Sequence, residues 1–386
     1  MSEKMSDEFK NKLEAYENGE LQGEELAEFE RELEKLEQYQ EHLDERKSPP
    51  TIPINEKKQI KILKRSKWKA RFQTALTALG IFILVMIVSS ILSAVYYSWG
   101  EPDRADVIAK VIDYTLTVTE PYGDSGGTST NVKPFFRVEM ERDLRKRVGH
   151  ETMKVGELKV NFLFSLMSFP ERNYIGNVSQ NQPIFTYPGF ESGMSEWDRL
   201  EKLPEGTVVS AYVSFNKMES TDEVFHLLGE KDLDISWFAV DTGDNDEESS
   251  MDGGVIFDPI GFPSTPIWHE DDMELDSREE KKGFLFGKII MEGHSSPSYQ
   301  EGDSEMLHKQ FLKTLRFLEK NEKMANKLYQ GRKLDLENKL HYLEKNGIKH
   351  YGVVVTGPTK EILKLKNEKE ISTIEVDEVG FWNWEK

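Results

Sequence analysis

Two short stretches carry the residue types of proteolytic chemistry. Gly123-Asp124-Ser125-Gly126-Gly127 has the pattern found around a chymotrypsin-type nucleophile, whose hydroxyl attacks a carbonyl once a histidine takes its proton. In that chemistry the catalytic residues run His, Asp, Ser along the chain, and the only histidine before Ser125 is His42, which lies ahead of a long apolar run. The stretch reads instead as a flexible Gly/Ser turn. Asp241-Thr242-Gly243 has the aspartic-protease pattern, which needs two carboxylates sharing one proton. The chain has no second copy, although a dimer would supply one, and the acidic run Asp244-Asn245-Asp246-Glu247-Glu248 follows, so a strand ending in a charged turn is the expectation. His269-Glu270-Asp271-Asp272 and the 241–248 loop offer carboxylates to a cation, but neither has the glycine and closing glutamate of an EF-hand, and adjacent ligands rarely converge. The chain contains no cysteine, which excludes disulfides, cysteine zinc sites and a thiol nucleophile. No catalytic, cofactor-binding or metal-ligating residue is therefore assigned, and the chain is read as a binding protein rather than an enzyme.

The elements around these stretches point elsewhere. At 386 residues, with 37% hydrophobic residues, the chain is long enough for two or three parts and a substantial core. A net charge of −20 argues against direct nucleic-acid binding, which needs basic surface, and leaves basic protein partners open.

No charged residue lies between Arg71 and Glu101, and Ala75 to Tyr97 reads ALTALGIFILVMIVSSILSAVYY. As a helix these residues extend roughly 35 Å, enough to cross a hydrocarbon core of about 30 Å. Trp68 and Phe72 precede the span and Tyr96, Tyr97 and Trp99 follow it, where amphipathic rings settle at headgroup level. The run is too long and begins too late for a cleaved signal peptide. Before it stand Lys57, Lys58, Lys61, Lys64, Arg65, Lys67, Lys69 and Arg71 with no acid among them, whereas acids predominate after it. The positive-inside rule puts the N-terminus in the cytoplasm and the C-terminal region outside. The basic run also suits contact with anionic membrane lipid.

Residues 1–46 hold 16 acidic and 6 basic side chains, yet their apolar residues recur at helical spacing: Phe9, Leu13 and Tyr16, then, after Asn18-Gly19, Leu26, Phe29, Leu33, Leu36 and Leu43. The pattern predicts a helix, a turn and a longer helix whose stripes need a partner. One outcome is a dimerising stalk; the other is helix-in-groove binding, with the apolar residues as anchors and a glutamate surround facing a basic protein. The linker from Lys47 to Asn55 contains Pro49, Pro50 and Pro53 and cannot continue the helix.

Beyond the span, alternation at Tyr114, Leu116 and Val118, and again at Leu158, Val160, Phe162 and Phe164, predicts strands of a β-rich subdomain. From Leu203 the order is strand (207–215), helix (221–228, stopped by Gly229) and strand (235–240). There follow a strand at 284–290, helices at 307–318 and 334–343, a strand at 351–355, a short helix from Thr359 and a strand at 371–376. The expected fold is α+β: an N-terminal helical hairpin (1–46), a linker and basic segment (47–73), one transmembrane helix (74–98), a β-rich subdomain (99–195) and an extracytoplasmic mixed domain with β-α-β units (196–386).

The head MSDEFKNKLEAYENGELQGEELAEFERELEKLEQYQEHLDE, with its linker, basic flank and single span, is similar to the N-terminal module of the Bacillus-type sigma factor regulators, the membrane anti-sigma factors. LPEGTVVSAYVSFNKMESTDEVFHLLGEKDLDISWFAVDTG, YGVVVTGPTKEILKL and the ending VGFWNW resemble the C-terminal module, the whole being of the sigma-M type. The resemblance implies sequestration of an extracytoplasmic-function sigma factor, for which Phe9, Leu13, Tyr16, Leu26, Phe29, Leu33 and Leu36 are the candidate anchors. It also implies release on an envelope signal and a second membrane protein as co-regulator. Many anti-sigma heads hold zinc through a histidine and two cysteines. Here Tyr39 and His42 stand where a C-x-x-C pair would, which excludes zinc-dependent redox sensing. The competing reading is an envelope scaffold whose head dimerises.

Overall fold

The computed structural model describes residues 2–47, 56–122, 126–176, 183–190, 195–243, 254–282, 288–329 and 333–385. The chain divides into two compact units, Met1–Phe82 and Ile83–Lys386. Gly123 to Ser125, the 244–248 acids and residues 48–55 of the linker lie outside the described residues.

In the first unit, α1 (Ser2–Glu17) and α2 (Glu24–Lys47) form the expected hairpin. Helix α3 (Glu56–Tyr97) runs on without a break from the basic flank through the apolar stretch, and is the one described helix long and apolar enough to cross a membrane. The side chains of Lys64, Arg65, Lys67, Lys69, Arg71 and Trp68 all stand exposed along it.

The second unit opens with α4 (Arg104–Thr119), capped by Asp103, whose carboxylate accepts the Asp106 N–H. This overturns the expected strand at 114–119. The alternation of threonine with apolar residues is not a two-sided pattern here, because every residue from Tyr114 to Thr119 is buried and a helix enclosed on all sides has no periodicity to read. The threonines suit a helix by bonding back one turn, Thr117 to the Asp113 carbonyl (2.8 Å) and Thr119 to that of Thr115 (2.7 Å).

A ribbon follows, built from β1 (Ser129–Lys133), β2 (Arg137–Val148), β3 (Glu151–Leu163), β4 (Leu166–Met167) and β5 (Glu171–Tyr174), all antiparallel. Its inner face alternates Val138, Met140, Arg142, Leu144, Lys146 and Val148 on β2 with Leu158, Val160 and Phe162 on β3. Phe164, expected in the second strand, lies in the turn after it with φ +53°.

The main sheet has the order β10 (Gly261–Pro263), β8 (Asp234–Val240), β13 (His350–Pro358), β7 (Thr207–Glu219), β14 (Ile371–Phe381), and each neighbouring pair is antiparallel. Helix α6 (Thr221–Leu228) joins β7 to β8, which run parallel with β13 between them. Helix α10 (Thr359–Lys364) joins β13 to β14, which run parallel with β7 between them. The helical code at α6 is complete: Ser220 and Glu223 form a capping box. Val209, Ala211, Val213 and Phe215 of β7 pack in one cluster with α6 and with α7 (Ser304–Lys320), α8 (Glu322–Tyr329) and α9 (Leu336–Asn346). Tyr212 faces the other way, with Trp237, Tyr351 and Phe185. With both faces covered, β13 is buried along its whole length, as its apolar run requires. Helix α8 was not legible in the sequence, and the strand expected at 284–290 is seen from Lys288, as β12 (Lys288–Ser295) paired with β11 (Glu274–Lys282).

The ribbon and the main sheet are pinned together by buried charge. Lys146 of β2 lies 2.5 Å from Asp377 of β14, both side chains almost fully enclosed, and the Tyr122 ring covers the ammonium at 5.0 Å. Arg142 bonds Asp113 of α4 at 2.7 Å, and the Trp237 indole donates to the Thr117 carbonyl at 3.0 Å.

Candidate functional site: the helical head and the membrane helix

The head is built around one side chain. Phe29 of α2 is 2% exposed, with its ring centroid 5.5 Å from those of both Phe9 and Tyr16 on α1. The turn that permits this closes α1 with a Schellman motif. Gly19 takes φ +74°, Glu20 N–H bonds the Ala15 carbonyl and Gly19 N–H that of Tyr16. Glu24 and Glu25 then stand in the first turn of α2, where carboxylates suit the positive end of the helix.

Of the seven candidate anchors, the structure brings Phe9, Tyr16 and Phe29 together inside the hairpin, leaves Leu13, Leu26 and Leu33 half-buried, and leaves Leu36 exposed. Helix α2 has 24 residues against 16 in α1, so it outruns its partner by about 12 Å. Toward that end of α2, Leu36, Tyr39 and Leu43 form an exposed stripe at i, i+3 and i+7, Leu43 on the overhang itself and Tyr39 69% exposed. Tyr39 had not been counted as an anchor. Its signal was its helical spacing from Leu36 and Leu43, masked because Tyr sits comfortably on a wet surface.

Of the two motifs with catalytic patterns, Asp241-Thr242-Gly243 lies within the described residues and is otherwise engaged. Asp241 accepts the Tyr342 hydroxyl at 2.7 Å and the Gly243 N–H at 3.2 Å. Lys313 places its ammonium 2.7 Å from both Asp271 and Asp272, where a cation would otherwise bind. His269 bonds Thr314 at 2.9 Å, and burial and the Lys313 charge push its imidazole down to about 4. Among the described residues no three His, Asp or Glu side chains converge as metal ligands. The Thr221 hydroxyl lies between His308 (2.6 Å) and His350 (2.7 Å), and burial drives His350 down to about 3, so this network holds neutral imidazoles.

The last turns of α3 belong to the second unit and are bonded into it. Ser89 Oγ accepts the Phe135 N–H at 2.6 Å and Ser93 Oγ the Phe136 N–H at 2.7 Å. The Tyr97 hydroxyl donates to the carbonyls of Phe136 (2.9 Å) and Phe164 (3.1 Å). Tyr97, expected as a headgroup-level ring, is thus enclosed by two turns of the ribbon, while Tyr96 is half-buried and Trp99 exposed. The Arg104 guanidinium lies over the Tyr96 ring at 4.6 Å and donates to its carbonyl.

The family model described as sigma factor regulator C-terminal matches residues 200–378, the main sheet and its helices. The one described as sigma factor regulator N-terminal matches residues 60–153, from α3 into β3. The head, whose sequence suggested that module, precedes the match. A relative described as the probable anti-sigma-M factor YhdL of Bacillus subtilis (strain 168) is 30% identical over 390 residues, covering 98% of this chain and all of the relative, head included. No solved structure matches the chain.

Proposed function

This chain belongs to the sigma factor regulator family of anti-sigma factors, and from that premise we propose that its head holds an extracytoplasmic-function sigma factor of the sigma-M type at the membrane and releases it on an envelope signal. The observation that carries the mechanism is the exposed apolar stripe on the C-terminal half of α2. Leu36, Tyr39 and Leu43 are an apolar stripe that the hairpin does not cover, set among Glu34, Glu37, Glu41 and Asp44. Such a stripe fits a groove on a basic protein, and sigma factors, which contact DNA, carry basic surface. In this reading Phe29 shapes the hairpin and the exposed stripe makes the contact.

The head is cytoplasmic and the region after α3 extracytoplasmic, a reading supported by the basic flank before the apolar stretch. The chain works by binding rather than catalysis, a reading supported by the engagement of Asp241 with Tyr342. Transmission requires α3 to change position or association, which gives a second membrane protein a place in the mechanism.

The test is co-purification of the full chain, in detergent, with each alternative sigma factor of the cell. Capture of one, reduced at least tenfold by Leu36→Asp/Tyr39→Asp and kept by Lys12→Gln on the exposed side of α1, supports the proposal. Self-association through the same stripe with no capture favours the dimerising scaffold.

A further inference from the structure

The bonds from Ser89, Ser93 and Tyr97 fix where two turns of the ribbon lie. Ser89 is eight residues before Tyr97, about 12 Å down a helix, and so well inside the apolar stretch. The turn bonded to it, Pro134-Phe135-Phe136, is therefore at the depth of Leu92 and Val88 and not beyond the end of the helix. We propose that this turn and its neighbour, Leu163 to Leu166, are immersed in the hydrocarbon of the leaflet on their own side of the membrane, and that acyl chains are the partner they fit. The inference rests on α3 crossing a bilayer.

Three features of the turns support an apolar solvent. Their outward side chains are apolar but for Ser165, which lies 3.3 Å from the Tyr96 hydroxyl: Phe135, Leu163, Phe164 and Leu166 are all exposed, Leu166 by 72%. Five of their backbone groups are satisfied from within, as hydrocarbon demands and water does not. The N–H groups of Phe135 and Phe136 go to serine hydroxyls, that of Phe164 to the Phe136 carbonyl at 2.9 Å, and the carbonyls of Phe136 and Phe164 take the Tyr97 hydroxyl. Finally, Phe135, Phe136 and Phe164 hold φ of +63°, +54° and +53°. This left-handed region costs a bulky residue on the order of 1–2 kcal/mol, and a wet turn avoids that cost with Gly or Asn. Aromatic residues kept there point to a requirement for apolar surface. Lys133, ion-paired with Glu139 at 3.2 Å, and Arg137 face each other across the ladder beside the first turn, and their long side chains can reach toward lipid phosphates.

The chain has no cysteine, so single cysteines report on depth without background. The full chain is reconstituted in bilayers as Phe135→Cys, Leu166→Cys, Leu92→Cys or Thr152→Cys, each carrying an environment-sensitive fluorophore, and challenged with brominated lipid and with aqueous iodide. The expected result is a blue-shifted emission lost to brominated lipid at positions 135, 166 and 92, with position 152 quenched by iodide alone. Lipid quenching at 92 with iodide quenching at 135 and 166 overturns the immersion and leaves the spanning helix intact. No lipid quenching at 92 overturns the spanning reading and the immersion with it. Shielding of 135 and 166 from both quenchers overturns acyl chains as the occupant in favour of a covering protein surface.

Discussion

The head and the region beyond residue 83 use aromatic residues in opposite ways. In the head Phe29 is the one described apolar side chain that is fully enclosed, gripped by two rings, while the rest of the stripe stays half-covered or open. In the second unit Phe162, Phe215, Phe238, Phe262, Phe311, Tyr212, Tyr351 and Trp237 are all buried, around a sheet that also encloses a lysine-carboxylate pair. The head leaves most of its apolar stripe uncovered; the main sheet of the second unit is covered on both faces and carries buried charge. The difference follows from size, since two helices cannot surround their own stripes whereas a covered sheet can.

The most severe test of the self-sufficient half is Lys146→Ala. It leaves Asp377 buried without its cation, and about 3–5 kcal/mol of stability should go, read as a large fall in the melting temperature of the full chain. A Lys146→Met/Asp377→Leu variant should recover most of that loss. If the single variant melts like the parent, the pair does not pin ribbon to sheet.

The head should respond to one residue and ignore its neighbours. Phe29→Ala removes the whole enclosed ring and should cost about 3 kcal/mol, enough to expose residues 9–33 to rapid hydrogen exchange while exchange beyond residue 83 is unchanged. Tyr39→Ala should alter exchange in the head hardly at all, because its ring touches solvent. Equal sensitivity at positions 29 and 39 would erase the distinction between core and contact surface.

The smallest effect concerns pH. Burial and then the Glu196 charge raise the Glu375 carboxyl to about 7, above its unfolded value near 4.5. The folded state therefore holds the proton more tightly, and its contribution to stability is full below pH 4.5 and lost as pH rises through 7. Glu375→Gln should raise stability at pH 8 by on the order of 1 kcal/mol, once solvent screening of this partly exposed group is allowed for, and change nothing at pH 4. Denaturant melts at the two pH values read the difference directly.

How much could be read beforehand depended on whether burial was one-sided. The helix at 221–228 was legible to its last residue because Ser220, Glu223 and Gly229 are local signals. The strands around Val213 and Val353 were legible because a run of apolar β-branched residues has few other uses. The C-terminal part of the helix at 104–119 reads as strand in the sequence because every residue from Tyr114 to Thr119 is buried, leaving no polar face there to mark its period. Among the candidate anchors, spacing located the stripe but gave no sign of which members the hairpin would consume. Phe29 and Tyr39 are both aromatic residues on one helix, and their roles differ because the Phe9 and Tyr16 rings of α1 close over Phe29 while Tyr39 stays exposed.

The sequence alone therefore determined the division of the molecule into an acidic helical head, an apolar span with a basic flank and a mixed α/β region, because composition, charge asymmetry and periodicity act locally. Tertiary structure decided what those features do to one another. It buried Phe29 and freed Tyr39, set Lys146 against Asp377 across 231 residues of chain, and bonded the serines of the apolar helix to turns more than forty residues away. Those pairings depend on how far elements reach and which faces remain uncovered, quantities that exist only once the chain has closed on itself.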